Sequence, residues 1–160
     1  MNKTDTINEF YTAFQQGDAE RMTSLYHEMI IFTDPVFGEL TSKQAGNMWR
    51  MLVTLSKGNL KLTFSDIREE DDGTVTAQWQ AVYPFGPDRR MVTNKVQAHF
   101  TFREEKIILH VDDFSFYRWA SMALGTPGML LGWTPWLKNK VRKKSLKALQ
   151  KYIENENKDV

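Results

Sequence analysis

IIFTDPVFGEL, residues 30–40, sets a carboxylate at the point where a strand must stop. Ile30, Ile31 and Phe32 make an apolar run, and Thr33 and Asp34 follow directly before Pro35. Proline holds the residue before it in an extended conformation and cannot donate to a sheet ladder. Asp34 is therefore expected at the end of a buried strand over 29–33, beside a core. Two readings are open there. Asp34 forms an Asx-type turn before the proline, or it is a base facing a pocket, and one residue can do both.

Upstream, Ile7, Phe10, Tyr11 and Phe14 fall at helical spacing after Thr4 or Asp5, and Gly17 ends that helix. Asp18 caps a second, short helix with Met22, Leu25 and Tyr26 on its inner side. Downstream, Ser42 opens a third helix carrying Ala45, Met48, Trp49 and Leu52 on one face. From residue 59 the period changes to two. Leu60, Leu62 and Phe64 alternate with polar residues, and Asp72-Gly73 is a hairpin turn. Val75 to Tyr83 and Val92 to Phe102 give two further alternating strands. On the last strand His110, Asp112, Phe114 and Phe116 share one face. Helices followed by an antiparallel meander make an α+β domain.

Composition narrows the class. The chain has 160 residues, 41% hydrophobic and 26% charged, enough for one core and one domain. It has no cysteine, which removes disulfides, thiolate nucleophiles and sulfur-bound metal. MNKTDTINEF lacks the apolar segment of a signal peptide, so a cytoplasmic protein is expected. No dense ligand spacing marks a metal site. There is no phosphate-binding glycine loop and no nucleophile elbow. Neither a metal nor a cofactor is expected.

The order of these elements, with EFYTAFQQGDAERMTSLYHEMIIFTDPVFGEL (9–40), the Trp49 helix and KIILHVDDFSFYRW (106–119), resembles the nuclear transport factor 2-like superfamily, SnoaL-like (polyketide cyclase-like) branch. The resemblance spans about residues 4–125 and implies a cone of helices on a curved antiparallel sheet, commonly dimeric through that sheet. Ketosteroid isomerase is a distant relative with the same Gly-Asp to Asp-Pro spacing, and its catalytic base corresponds to Asp34. Its oxyanion tyrosine falls on Phe10 and its protonated aspartic acid on Ala98, so steroid isomerisation is not expected. SnoaL-type cyclases place an acid/base aspartate where Asp112 stands.

The site expected from these residues is catalytic Asp34, His110 and Asp112, lined for substrate by Trp49, Trp79, Tyr83, Val96, Phe100 and Phe114. Its ligand would be a small hydrophobic molecule, planar or polycyclic, entering a cavity open at the end of the cone. The chemistry would be cofactor-independent cyclisation, isomerisation or hydrolysis. A structural His110–Asp112 pair in a closed core is the competing reading. So is a binding module without a reaction. Should the register slip by one residue, Asp113 rather than Asp112 would point inward.

Charge is unevenly placed. Residues 1–137 hold 13 Lys+Arg against 17 Asp+Glu, or −4, and residues 138–160 hold 8 against 3, or +5. An acidic body excludes nucleic acid as its partner. Residues 127–160 read as an apolar connector with Trp133 and Trp136, then a basic amphipathic helix over 137–153, packed on the cone domain of residues 1–126. A tail that binds a membrane or an acidic partner is the less favoured alternative.

Overall fold

The computed structural model describes residues 1–56 and 58–159. Two helices, α1 (Lys3–Gln15) and α2 (Ala19–Ser24), precede strands β1 (Tyr26–Asp34) and β2 (Gly38–Thr41) and helix α3 (Lys43–Ser56). The meander follows as β3 (Lys61–Glu69), β4 (Val75–Phe85), β5 (Arg90–Arg103) and β6 (Lys106–Asp113). Helices α4 (Phe116–Leu124), α5 (Thr126–Leu131) and α6 (Pro135–Lys158) end the chain. The strands form one sheet in the order β2-β1-β6-β5-β4-β3. All neighbours are antiparallel except β1 and β6, which run parallel with Phe32 opposite His110. That pairing carries the Asp34 strand to the strand of His110 and Asp112.

Several local expectations are corrected. Tyr26 belongs to β1 and not to the second helix, which stops at Ser24. The first helix is capped by Asn2, whose side chain accepts from the Asp5 amide, and neither Thr4 nor Asp5 serves. Phe116 opens α4 behind the N-cap Ser115, because β6 ends at Asp113 and leaves Phe114 just beyond the strand. Part of the connector is helical: Gly128 of α5 lies so close to α4 that a Cβ there would sit 1.9 Å from the Ala120 carbonyl oxygen. The last helix starts two residues early, with Pro135 in its first turn and Thr134 as cap, and runs on to Lys158.

The core lies between the helices and one sheet face. Phe10, Tyr11 and Phe14 of α1 meet Trp49 of α3 and Phe64, Trp79 and Phe100 of the strands in edge, tilted and stacked contacts, and Phe32 of β1 meets Trp49 edge-on. Leu137 and Leu149 of α6 are buried, and α6 packs against α3. Arg142 reaches from α6 to the carbonyls of Pro35 and Val36, at 3.3 and 3.4 Å. It passes over Gly38, whose φ of +72° suits glycine and whose missing Cβ leaves that path open.

Candidate active site

The Asp34 turn is built by its own side chain. Oδ1 accepts from the amides of Val36 at 2.9 Å and Phe37 at 2.6 Å, the Asx arrangement that turns β1 into β2. The turn role is therefore present in the geometry. What would fit Asp34 for acid/base work is its electrostatics: burial, with the charge of Asp112 adding to it, raises the carboxyl from 3.8 to about 7. The two amides and Arg142 pull the other way without cancelling the rise. Desolvation outweighs local hydrogen bonding here, and the group is half protonated near neutrality.

This shift has a consequence for stability. An unfolded Asp34 loses its proton near 3.8, while the folded one keeps it until about 7. The folded state therefore binds the extra proton across that window, and its stability falls as pH rises from about 4 to about 7. Asp34→Asn should remove that slope. Urea midpoints at several pH values, read as the difference between parent and variant, check it. A difference that does not change with pH contradicts the assignment.

Behind Asp34 lies a relay of buried polar groups. Trp49 Nε1 donates to the Tyr26 hydroxyl at 2.7 Å, and that hydroxyl meets His110 Nδ1 at 2.8 Å. His110 Nε2 meets Asp112 Oδ1 at 2.9 Å, and Trp79 Nε1 donates to the same oxygen at 3.2 Å. Because Tyr26 already accepts from Trp49, its own proton goes to Nδ1. That leaves His110 as the Nε2–H tautomer, donating to Asp112, and every donor then has an acceptor. Burial holds the Tyr26 phenol above its usual range, so it stays a donor. Around this chain the ring of His110 contacts Phe100 at 4.3 Å, Phe32 at 5.0 Å and Phe10 at 5.5 Å, and stacks on Trp49 at 5.9 Å.

The register on β6 is the expected one: Asp112 is 3% exposed and Asp113 is on the solvent side. Several of the expected pocket walls are closely packed. His110, Trp49 and Phe100 are packed, at 0%, 2% and 1% exposure, and Val96 is buried as well. Tyr83 is half-buried and accepts from Trp119 Nε1 at 3.0 Å; burial and the charge of Asp34 raise its phenol. Phe114 is half-buried beyond the end of β6. A depression of about 590 Å³ lies instead on the outer sheet face, among Thr63, Ser65, Gln78, Gln80, Lys95 and Gln97, with Trp79 and Val96 at its floor. A smaller one of about 390 Å³ adjoins the N-terminus. Asp34, His110 and Asp112 border neither. Large aromatic side chains pack closely around His110.

Three further residues belong to this region. Tyr26 links Trp49 to His110, and its strand position was masked by helical spacing from Met22 and Leu25. Tyr11 is wholly buried and its hydroxyl has no partner among the described residues; burial, then the charge of Asp112, raises it. Arg142 acts on Asp34 from the distant α6, a contact to which no short motif points.

Comparison with known proteins follows this geometry. Residues 7–110 match the SnoaL-like domain. Bal32a, from a soil-derived mobile gene cassette, superposes with a TM-score of 0.64 at 20% identity, covering 74% of this chain and 94% of that one. TerC, co-crystallized with polyporic acid, gives 0.63 at 17% identity, with 76% and 97% covered. SalBIII, an epoxide hydrolase/cyclase-like enzyme of pyran ring formation in the polyether salinomycin, gives 0.60 at 17% identity, with 69% and 88% covered. No curated protein matches significantly. At these identities the solved structures speak for the fold, and with the domain match over most of the chain they lead to one conclusion: the chain belongs to the SnoaL-like domain family, within the nuclear transport factor 2-like fold.

Proposed function

We propose that this domain binds a small hydrophobic molecule, planar or polycyclic, and that Asp34 and Asp112 carry out cofactor-free acid/base chemistry on it. The observation that carries this reading is a pair of carboxyl groups beside the apolar core, Asp112 buried and Asp34 half-buried, with unlike surroundings. Asp34 is set to titrate near neutrality, while Asp112 is anchored by His110 and Trp79. Two carboxyls separated in this way can divide the acid and base roles. Asp34, protonated near neutrality, would give a proton to the reacting oxygen or carbon, the Asp112 carboxylate would take one as base, and the Tyr11 hydroxyl would donate to the developing negative charge. Cyclisation, isomerisation and hydrolysis all need only such transfers. Relatives named for polyporic acid and for epoxide hydrolase/cyclase-like chemistry support the ligand class and the reaction type.

A second reading is favoured by the closed packing. His110 and Asp112 have partners inside the protein, so the relay can serve as the rigid floor of a binding module without turnover. Under either reading the polar outer sheet face, with Gln78 opposite Gln97 and Gln80 opposite Lys95, is proposed to meet a second copy in a wet interface, which sedimentation at micromolar concentration reads directly.

The test is displacement of a lipophilic fluorescent probe by a panel of planar quinones and phenols, then turnover of those that displace it. The expected result is micromolar displacement, with Asp34→Asn keeping affinity within about threefold while losing about 100-fold or more in turnover. Displacement without turnover in the parent leaves the binding module. No displacement at all removes both readings.

A further inference from the structure

The outward side of the C-terminal extension plays no part in the ligand reading. Five large apolar residues stand exposed there in one short stretch, Met129 at 56%, Leu130 at 66%, Leu131 at 39%, Trp133 at 73% and Trp136 at 59%. Their exposure is imposed by the fold. Gly128 presses α5 onto the α4 backbone, which commits the inner side of that short helix. The Trp133 indole is fixed by a 3.0 Å bond to the Leu130 carbonyl, and the turn closes through the Thr134 amide on Leu131. An apolar group that the structure holds in water is a candidate contact surface.

The helix that follows is two-sided. Leu137 and Leu149 face inward and are buried, with Val141 and Ile153 packed beside them. On the other side Trp136, Lys140, Lys143, Lys147 and Lys151 recur at helical spacing, and all are exposed. Among the described residues none of these four lysines lies within ion-pair distance of a carboxylate, although the body is acidic overall. Lys140 lies 5.0 Å from the Trp136 ring instead. The row of cations is therefore directed away from the protein and begins where the apolar group ends.

We propose that this face docks on an anionic lipid surface, with α6 lying along the headgroups and Met129, Leu130, Trp133 and Trp136 entering the interfacial layer. Each part of the surface fits that partner. Unpaired lysines complement anionic headgroups, tryptophan suits the boundary between headgroup and acyl chain, and the leucine and methionine bury below it. No described helix is long and apolar enough to cross a membrane, so the contact lies on the surface. A nucleic acid would use the lysines but would leave the apolar group in water.

Co-sedimentation of the full chain with phosphatidylcholine vesicles, with and without about 30% phosphatidylserine, tests this. Binding is expected only to the anionic vesicles and should weaken with added salt. Lys→Gln at 140, 143 and 147 should each weaken it about fivefold, with the melting temperature unchanged. Trp133→Ser with Trp136→Ser should abolish it, while leaving the protein as monomeric or dimeric as the parent by sedimentation. Binding to neither vesicle overturns the proposal. So does equal binding to both, or a change of oligomeric state in the tryptophan variant, which would assign the patch to a second copy of the chain.

Discussion

His110→Leu should destabilise the fold by about 3–5 kcal/mol, because it takes the Nε2–H donor away from a carboxylate that stays buried. Asp112 would keep Trp79 as a donor but lose Nε2–H, and the Tyr26 proton would lose its acceptor. For a domain of this size that loss corresponds to roughly 6–20 °C in Tm. The cause is distinguishable from lost packing. His110→Leu combined with Asp112→Leu removes the stranded carboxylate as well, so the double variant should melt above the single one. A double-mutant cycle reads this coupling directly. If the two losses simply add, the pair is not what makes His110 necessary, and the relay drawn through Tyr26 is wrong.

Deleting all residues after Pro127 should lower stability by a comparable amount. The deletion uncovers the sites of Leu137 and Leu149, the two buried residues of α6, each worth about 1.5–3 kcal/mol. Partly buried Val141, Leu146, Tyr152 and Ile153 add to the loss. The Arg142 bonds to the Pro35 and Val36 carbonyls go too, so the Asp34 turn should exchange its amide hydrogens faster. Thermal melting and hydrogen exchange check the two parts separately. Unchanged melting would mean that α6 contributes no support to the body. The lipid-facing lysines lie on the opposite side of the helix, so their variants leave this packing intact.

Much of this architecture is legible in the residues. Period-two alternation places Asp112 inward and Asp113 outward, and the Asp-Pro step ends β1 at Asp34, one residue past the expected Thr33. Tyr26 is missed because a short apolar set spaced like Met22, Leu25 and Tyr26 fits a helix as well as a strand end. Strand β2 is missed because four residues after a turn carry no readable period. The candidate site divides along the same line. Which side chains face the interior follows from local pattern, and His110 and Asp112 do. Whether the interior stays open depends on how Trp49, Phe10, Phe32 and Phe100 fill it together. That is a property of summed volumes across distant elements, as is the reach of Arg142 to a turn more than a hundred positions upstream.

The parallel pairing of β1 with β6 bears on how the chain comes to be folded. Phe32 cannot find its neighbour His110 until nearly the whole meander has been synthesised, and Tyr26 waits for Ile107 in the same way. Contacts of such long range are formed late, because the loop must close before any contact offsets its entropy. The hairpins of β3 to β6 are local and can assemble first. Phe10, Tyr11 and Phe14 of α1 can lie on the β3–β4 hairpin as soon as it forms, whereas Phe32 and the rest of β1 still lack their neighbour. The apolar side of β1 is thus the part of the nascent chain that stays uncovered longest, and the arrival of β6 completes the sheet around it.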